Sequence, residues 1–235
     1  MRTTTRDPSR LLVAVLACAA LLQPNPLRAD PVPVCYTEGL THGFLVLQTL
    51  EGKTIADGQM TQVTQGDRVK QHLIFRFKDG STYEETTIFS QRGHFRLLSD
   101  HVVQRGPSFK TPMETSINAS TGQVTVRYTD NGKNKVLTEQ LELPSDICNG
   151  MIFTLMKNIQ PNVPRTTVSM LVTTPKPRLV KLAIVPEGHE PFSIGNFQHK
   201  AMRYVLKIEI GGCGRIPRGS VWETAARYAC LGSRR

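Results

Sequence analysis

At 235 residues, 39% of them apolar, the chain is long enough for one or two domains and rich enough for one sizeable core. Its formal net charge of +10 invites a nucleic-acid or membrane partner until the charges are placed. Residues 1–29 hold four Arg and one Asp, and residues 211–235 hold five Arg and one Glu; the rest carries 20 basic against 17 acidic side chains, so the excess is an end effect and argues against nucleic acid.

The first stretch, residues 1–29, reads as a secretory signal peptide. Arg2, Arg6 and Arg10 precede a twelve-residue apolar run from Leu11 to Leu22, then Pro24, Pro26 and Leu27-Arg28-Ala29 lead to Asp30. The run is well short of the roughly 20 apolar residues that span a bilayer. Its three-part layout predicts cleavage after Ala29, export to the periplasm or beyond, and no transmembrane segment in the mature chain. Val15-Leu16-Ala17-Cys18 is a loose lipoprotein box. Leu16 fits it poorly and the apolar run continues past Cys18, which makes lipidation the minor alternative.

Residues 30–211 read as a single β-rich domain. After Pro31 and Pro33, Gly43 to Leu50 is apolar enough to be a strand buried on both faces. Glu51-Gly52-Lys53 turns it into a more polar strand, Thr54 to Gln65. The stretch from Arg68 to Gln104 organises the chain as three antiparallel strands. Val69, Leu73, Phe75 and Phe77 alternate with Lys70, His72, Arg76 and Lys78, the period-two pattern of a half-buried strand. Asp79-Gly80 suits a tight hairpin. Tyr83 to Ser90 returns with Tyr83, Glu85, Thr87 and Phe89 on one side, and His94 to Gln104 follows with Phe95, Leu97 and Val103 in phase. Thr115 to Ala119, Gln123 to Thr129 and Lys135 to Leu143 continue the rhythm, with turns at Thr121-Gly122 and Asp130-Asn131-Gly132.

Pro144-Ser145-Asp146 breaks it. Ser145 or Asp146 is a candidate helix cap, and Ile147, Met151, Ile152, Leu155 and Met156 recur at helical spacing up to Pro161. One short amphipathic helix is therefore expected near 146–159. Strands resume at Thr166 to Thr173, Leu179 to Val185 and Lys200 to Ile210, with Pro186 to Gln198 as a Gly/Pro-punctuated loop. The predicted class is mainly β: a curved antiparallel meander or half-barrel of about nine or ten strands, folded over one helix.

Beyond Gly212 alternation stops, Arg replaces Lys, and Trp222, Cys213 and Cys230 appear. Residues 212–235 read as an atypical tail, either disordered or the product of a reading-frame slip near Gly212. Cys35 and Cys148 are then the candidate disulfide in an oxidising compartment, the alternative being two buried thiols that never meet.

The segments Gly43-Phe44-Leu45-Val46-Leu47, Phe89-Ser90-Gln91-Arg92-Gly93, Gln104-Arg105-Gly106-Pro107-Ser108-Phe109 and Thr174-Pro175-Lys176-Pro177-Arg178-Leu179 resemble a group of secreted bacterial β-rich proteins of unknown function. The similarity spans roughly residues 40 to 211. It implies further strands after the Gly211-Gly212 pair, where the present tail stands, and it brings no activity. More distantly the strand order is similar to half-barrel carriers of lipids and lipoproteins, an analogy of fold alone.

Candidate chemistry is thin. His101 beside Asp100, with Ser90 or Ser99, is the nearest approach to a hydrolase constellation, but adjacent strand residues point to opposite faces and there is no Gly-x-Ser-x-Gly elbow. Glu84-Glu85 splits across two faces for the same reason. No metal-ligand spacing or phosphate cradle is present, and no cofactor is expected. Two function classes follow. The first is a non-catalytic structural or interaction module with an envelope protein partner. The second is a carrier of a lipid or other amphiphile, with Phe75, Phe77, Phe89 and Phe95 lining an apolar groove. A hydrolase is third.

Overall fold

The computed structural model describes residues 31–194 and 196–209. The expectations for the signal segment 1–29 and the tail 212–235 lie outside the described residues. Eight strands form one antiparallel meander whose spatial order is its sequence order: β1 (Thr41–Gln48), β2 (Thr54–Gln65), β3 (Arg68–Phe77), β4 (Thr82–Ser90), β5 (Arg96–Arg105), β6 (Met113–Asn118), β7 (Gln123–Asp130) and β8 (Lys133–Gln140). Helix α1 (Ile152–Asn158) follows, then a second antiparallel sheet, β9 (Thr166–Thr173), β10 (Pro177–Ile194) and β11 (Phe197–Glu209), in the order β11-β10-β9. The protein is mainly β, a curved meander that does not close. Tight hairpins make that order. At the β7–β8 turn Asn131 (φ 50°) and Gly132 (φ 73°) both take the positive φ that matches the twist of the flanking strands.

Four local expectations are corrected. The stretch Pro186 to Gln198 is no loop: β10 and β11 pair out to Ile194 opposite Phe197, and a register shift between Pro186 and Gly188 absorbs the interruption. Strand β1 is half-buried on one side only, because Phe44 and Val46 are 76% and 58% exposed. The helix is shorter than 146–159. Asp146 does not cap it; its carboxylate accepts from Ser169, while Ser169 N–H and Cys148 N–H join this segment to β9 through Asp146 O and Ser169 O. The helix begins only after Gly150, with Met151 as an N-cap that makes no side-chain bond. Finally, β5 carries an irregularity: Ile88 faces Ser99, but Phe89 faces Leu97. Leu98 is the extra residue, so Asp100 and Val102 turn inward and Val103 turns outward, opposite Glu84.

The core lies between the concave face of the large sheet, α1 and the small sheet. Val69, Phe89, Phe95, Leu97, Val124 and Val126 meet Met151, Leu155, Met156 and Ile159 from the helical segment and Val168, Leu182, Ile184 and Tyr204 from the second sheet. Phe89 and Phe95 pack edge to face, centroids 6.0 Å apart. Truncating either to Ala would cost about 3–5 kcal/mol.

Candidate functional site

Alternation places five polar side chains on the concave face beneath the helical segment: Gln62 from β2, Gln71 from β3, Glu85 and Thr87 from β4, and Asp100 from β5. All are buried. Gln62 and Gln71 are directly opposed in register. Gln62 Nε2 donates to Gln71 Oε1 (3.0 Å) and to Thr154 Oγ1 of α1 (2.9 Å), and Gln71 Nε2 donates to the Gly150 carbonyl. Thr87 Oγ1 donates to Asp100 Oδ1 at 2.8 Å. Gly150 sits against Thr87 so closely that a Cβ there would lie 1.8 Å from Thr87 Oγ1, and its φ of 69° independently favours glycine.

Glu85 opposes Val102 and Thr87 opposes Asp100, so the two carboxyls are diagonal neighbours on one face. Burial, then the charge of Asp100, pushes the Glu85 carboxyl well above its ordinary range, partly offset by a hydrogen bond from Tyr83. Burial raises Asp100 to about 6 against the pull of the Thr87 hydrogen bond and of His101. Both shifts favour the protonated carboxyl, because a carboxylate charge is costly in a site sealed from water. The Cys148 thiol is pushed up by burial and then by Asp146 and Glu85, which leaves it protonated and a poor nucleophile. Asp146 has its own partners, Ser169 Oγ (2.9 Å) and Lys181 Nζ (3.3 Å).

A second feature lies past the other end of the helix. Cys35 and Tyr36, the stretch from Met156 to Asn162, and Met202 and Tyr204 line a groove of about 560 Å³. Asn158 ties it together: its Oδ1 accepts from Cys35 N–H and Tyr36 N–H, and its Nδ2 donates to the Thr154 carbonyl. Lys157 pairs with buried Glu38 at 2.6 Å, which further binds residues 35–38 to the helix.

The candidate disulfide is not formed. Cys35 is an exposed free thiol beside the C-terminal end of α1, whereas Cys148 is a buried free thiol ahead of its N-terminal end. The four phenylalanines do not share the groove. Phe89 and Phe95 are core; Phe75 and Phe77 are half-buried farther along β3, against Tyr83 and Phe109 respectively. His72 and His101 lie on the outer face, paired with Glu84 (2.8 Å) and Glu114 (3.1 Å), while Asp100 points inward. The Glu85–Asp100 pair was hidden by the β5 irregularity, since an uninterrupted period of two puts Asp100 opposite to Leu97. The available signal was Glu85 itself, a carboxyl in phase with Phe89.

Among the described residues no three His, Cys, Asp or Glu side chains are grouped to hold a metal ion, and no helix is long and apolar enough to cross a membrane. Comparison with protein-family models, with curated proteins and with solved structures found no match.

Proposed function

We propose that the chain is a non-catalytic interaction module of the bacterial envelope, exported and acting in the periplasm or outside the cell. One observation carries this reading: the concave face, where a half-barrel carrier would hold its lipid, is filled by the protein's own helical segment. Met151, Leu155 and Met156 are each at most 2% exposed and pack on the sheet. The groups with chemical potential are sealed beneath them, Glu85 at 7%, Asp100 at 2% and Cys148 at 0% exposure, which favours a structural role over catalysis. Large apolar side chains are left accessible away from that face, Phe44 and Val46 on β1 with Val63 on β2 and Val136 on β8 among them.

A second reading is favoured by the groove at the C-terminal end of α1. Its volume falls in the range of small-ligand sites, and its lining sets Met202 and the edges of Met156, Ile159 and Tyr204 beside Lys157, Asn158, Gln160 and Asn162, a mixture that suits an amphiphile with a polar head. Native mass spectrometry of the protein recovered from the envelope of its bacterial host separates the two. Masses of the bare chain, its multiples or its protein complexes support the interaction module. A stoichiometric small amphiphile carried through purification would overturn it in favour of the groove.

A further inference from the structure

The described residues contain four outer strand edges, and three of them are protected. The free side of β9 is taken by the segment before the helix, through Cys148 N–H to Ser169 O, Ser169 N–H to Asp146 O, and both amide groups of Asn149 on Leu171. The β8 edge carries Lys133, Lys135 and Glu139, and the β11 edge carries Lys200, Arg203, Lys207 and Glu209. Charges of this kind are how sheets discourage edge pairing. Strand β1, Thr-His-Gly-Phe-Leu-Val-Leu-Gln, has none.

Its free backbone groups coincide with its exposed side chains. Lys78 N–H bonds Ile55 O, so odd-numbered β2 residues address β3 and even-numbered ones address β1. The even residues Ala56, Gly58 and Met60 pair with Leu47, Leu45 and Gly43. By the alternation of an antiparallel ladder, His42, Phe44 and Val46 therefore aim their N–H and C=O groups away from the sheet. Phe44 and Val46 are also the two large apolar side chains that β1 leaves exposed.

We propose that β1 pairs antiparallel with β1 of a second copy of this chain. This deepens, and rests on, the interaction-module reading by naming the partner. A two-fold pairing that keeps both concave faces on one side opposes residues of like parity; the two registers that join the apolar rows set Phe44 against Phe44 or Val46 of the other copy, and no charge meets a like charge. Pairing with β8 would instead set Lys133 and Lys135, on the face of Val124 and Val126, against the inner row Gly43, Leu45 and Leu47, and pairing with β11 would set Arg203 and Lys207, out of phase with Tyr204, against Phe44 and Val46. Two-fold pairing uses up the edge in both copies, so assembly closes at two.

Light scattering on the full chain in reductant, which excludes intermolecular disulfides, tests this. The wild type is expected at twice the chain mass. Phe44→Lys/Val46→Lys and Phe44→Glu/Val46→Glu, each placing like charges opposite one another in either register, are expected at the monomer mass, and an equimolar mixture of the two returns to the dimer mass. Val46→Pro removes an N–H that bonds nothing within the sheet, and it too is expected to be monomeric while circular dichroism stays unchanged. A wild type that is monomeric at every soluble concentration, a dimer that survives both charge variants, or open-ended aggregates would overturn the pairing. A bare monomeric mass sinks self-pairing alone, whereas a bound amphiphile sinks the underlying reading.

Discussion

Replacing Asp100 by Asn should stabilise the protein, and increasingly so as pH rises. Burial lifts the Asp100 pKa from 3.8 to about 6, so the folded state holds this proton more tightly than the unfolded chain does. The associated stability is fully present below about pH 4 and is lost as pH climbs through about 6. The gap amounts to about 3 kcal/mol once the carboxyl is fully ionised. The groups facing it are Thr87, which bonds Oδ1, the raised carboxyl of Glu85, and Cys148 from the segment above; His101 acts from the opposite face. Asparagine keeps an acceptor for Thr87 and cannot ionise. Urea unfolding at pH 4, 6 and 8 is the assay. The variant should match the wild type at the lowest pH and exceed it by up to about 3 kcal/mol at the highest. Equal pH slopes for the two proteins would refute the assignment of Asp100 to a sealed, low-dielectric site.

Gly150→Ala should lower stability by about 2–4 kcal/mol, combining a left-handed backbone with overpacking against Thr87; an unchanged urea midpoint would count against that close approach. Native alkylation followed by peptide mapping should modify Cys35 and spare Cys148, and a Cys35–Cys148 linked peptide would contradict the placement of the two thiols. Protein exported from a bacterial host should begin near Asp30 by intact mass; retention of Met1 or a lipid on Cys18 would refute the proposed maturation. Removing residues 213–235 should leave melting temperature and solubility unchanged or improved, and unfolding on truncation would show that the tail is structural.

The fold was legible because its signals are local. Apolar alternation in β3 and β4, and turn residues at Asp79-Gly80 and Asn131-Gly132, specify hairpins one at a time, and a meander is hairpins in series. What failed was non-local. The helix cap at Asp146 was plausible on sequence, but β9 competes for the same backbone and side chain and wins through Ser169. The exposure of Phe44 and Val46, like that of Val63 on β2, depends on the outer face of the large sheet being left uncovered there, which no property of the eight β1 residues states. Above all, one extra residue at Leu98 reverses the facing of everything after it in β5, which is how an acid came to be buried and Val103 turned out.

The seam beneath α1 is better understood as a positioning device than as a source of stability. A satisfied buried hydrogen bond contributes about 1 kcal/mol net, and an unsatisfied buried polar atom costs about 1–3 kcal/mol. Here the bonds among Gln62, Gln71, Thr154 and Gly150 are set against two orphans, Gln62 Oε1 and Asp100 Oδ2, and two carboxyls whose charged forms burial disfavours. An all-apolar face would be at least as stable, but it would let a seven-residue helix slide or rotate on a smooth sheet. The contacts of Gln62 with Thr154 and of Gly150 with Thr87 each admit one placement, because a shift of one residue strands Gln62 and drives a side chain into Thr87. With the helix fixed there, the concave face is closed at its centre, and the accessible apolar surface that remains includes the groove by Tyr204 and the outer row of β1. Binding by this protein is therefore expected at the margins of the sheet, by strand pairing or by the helix end.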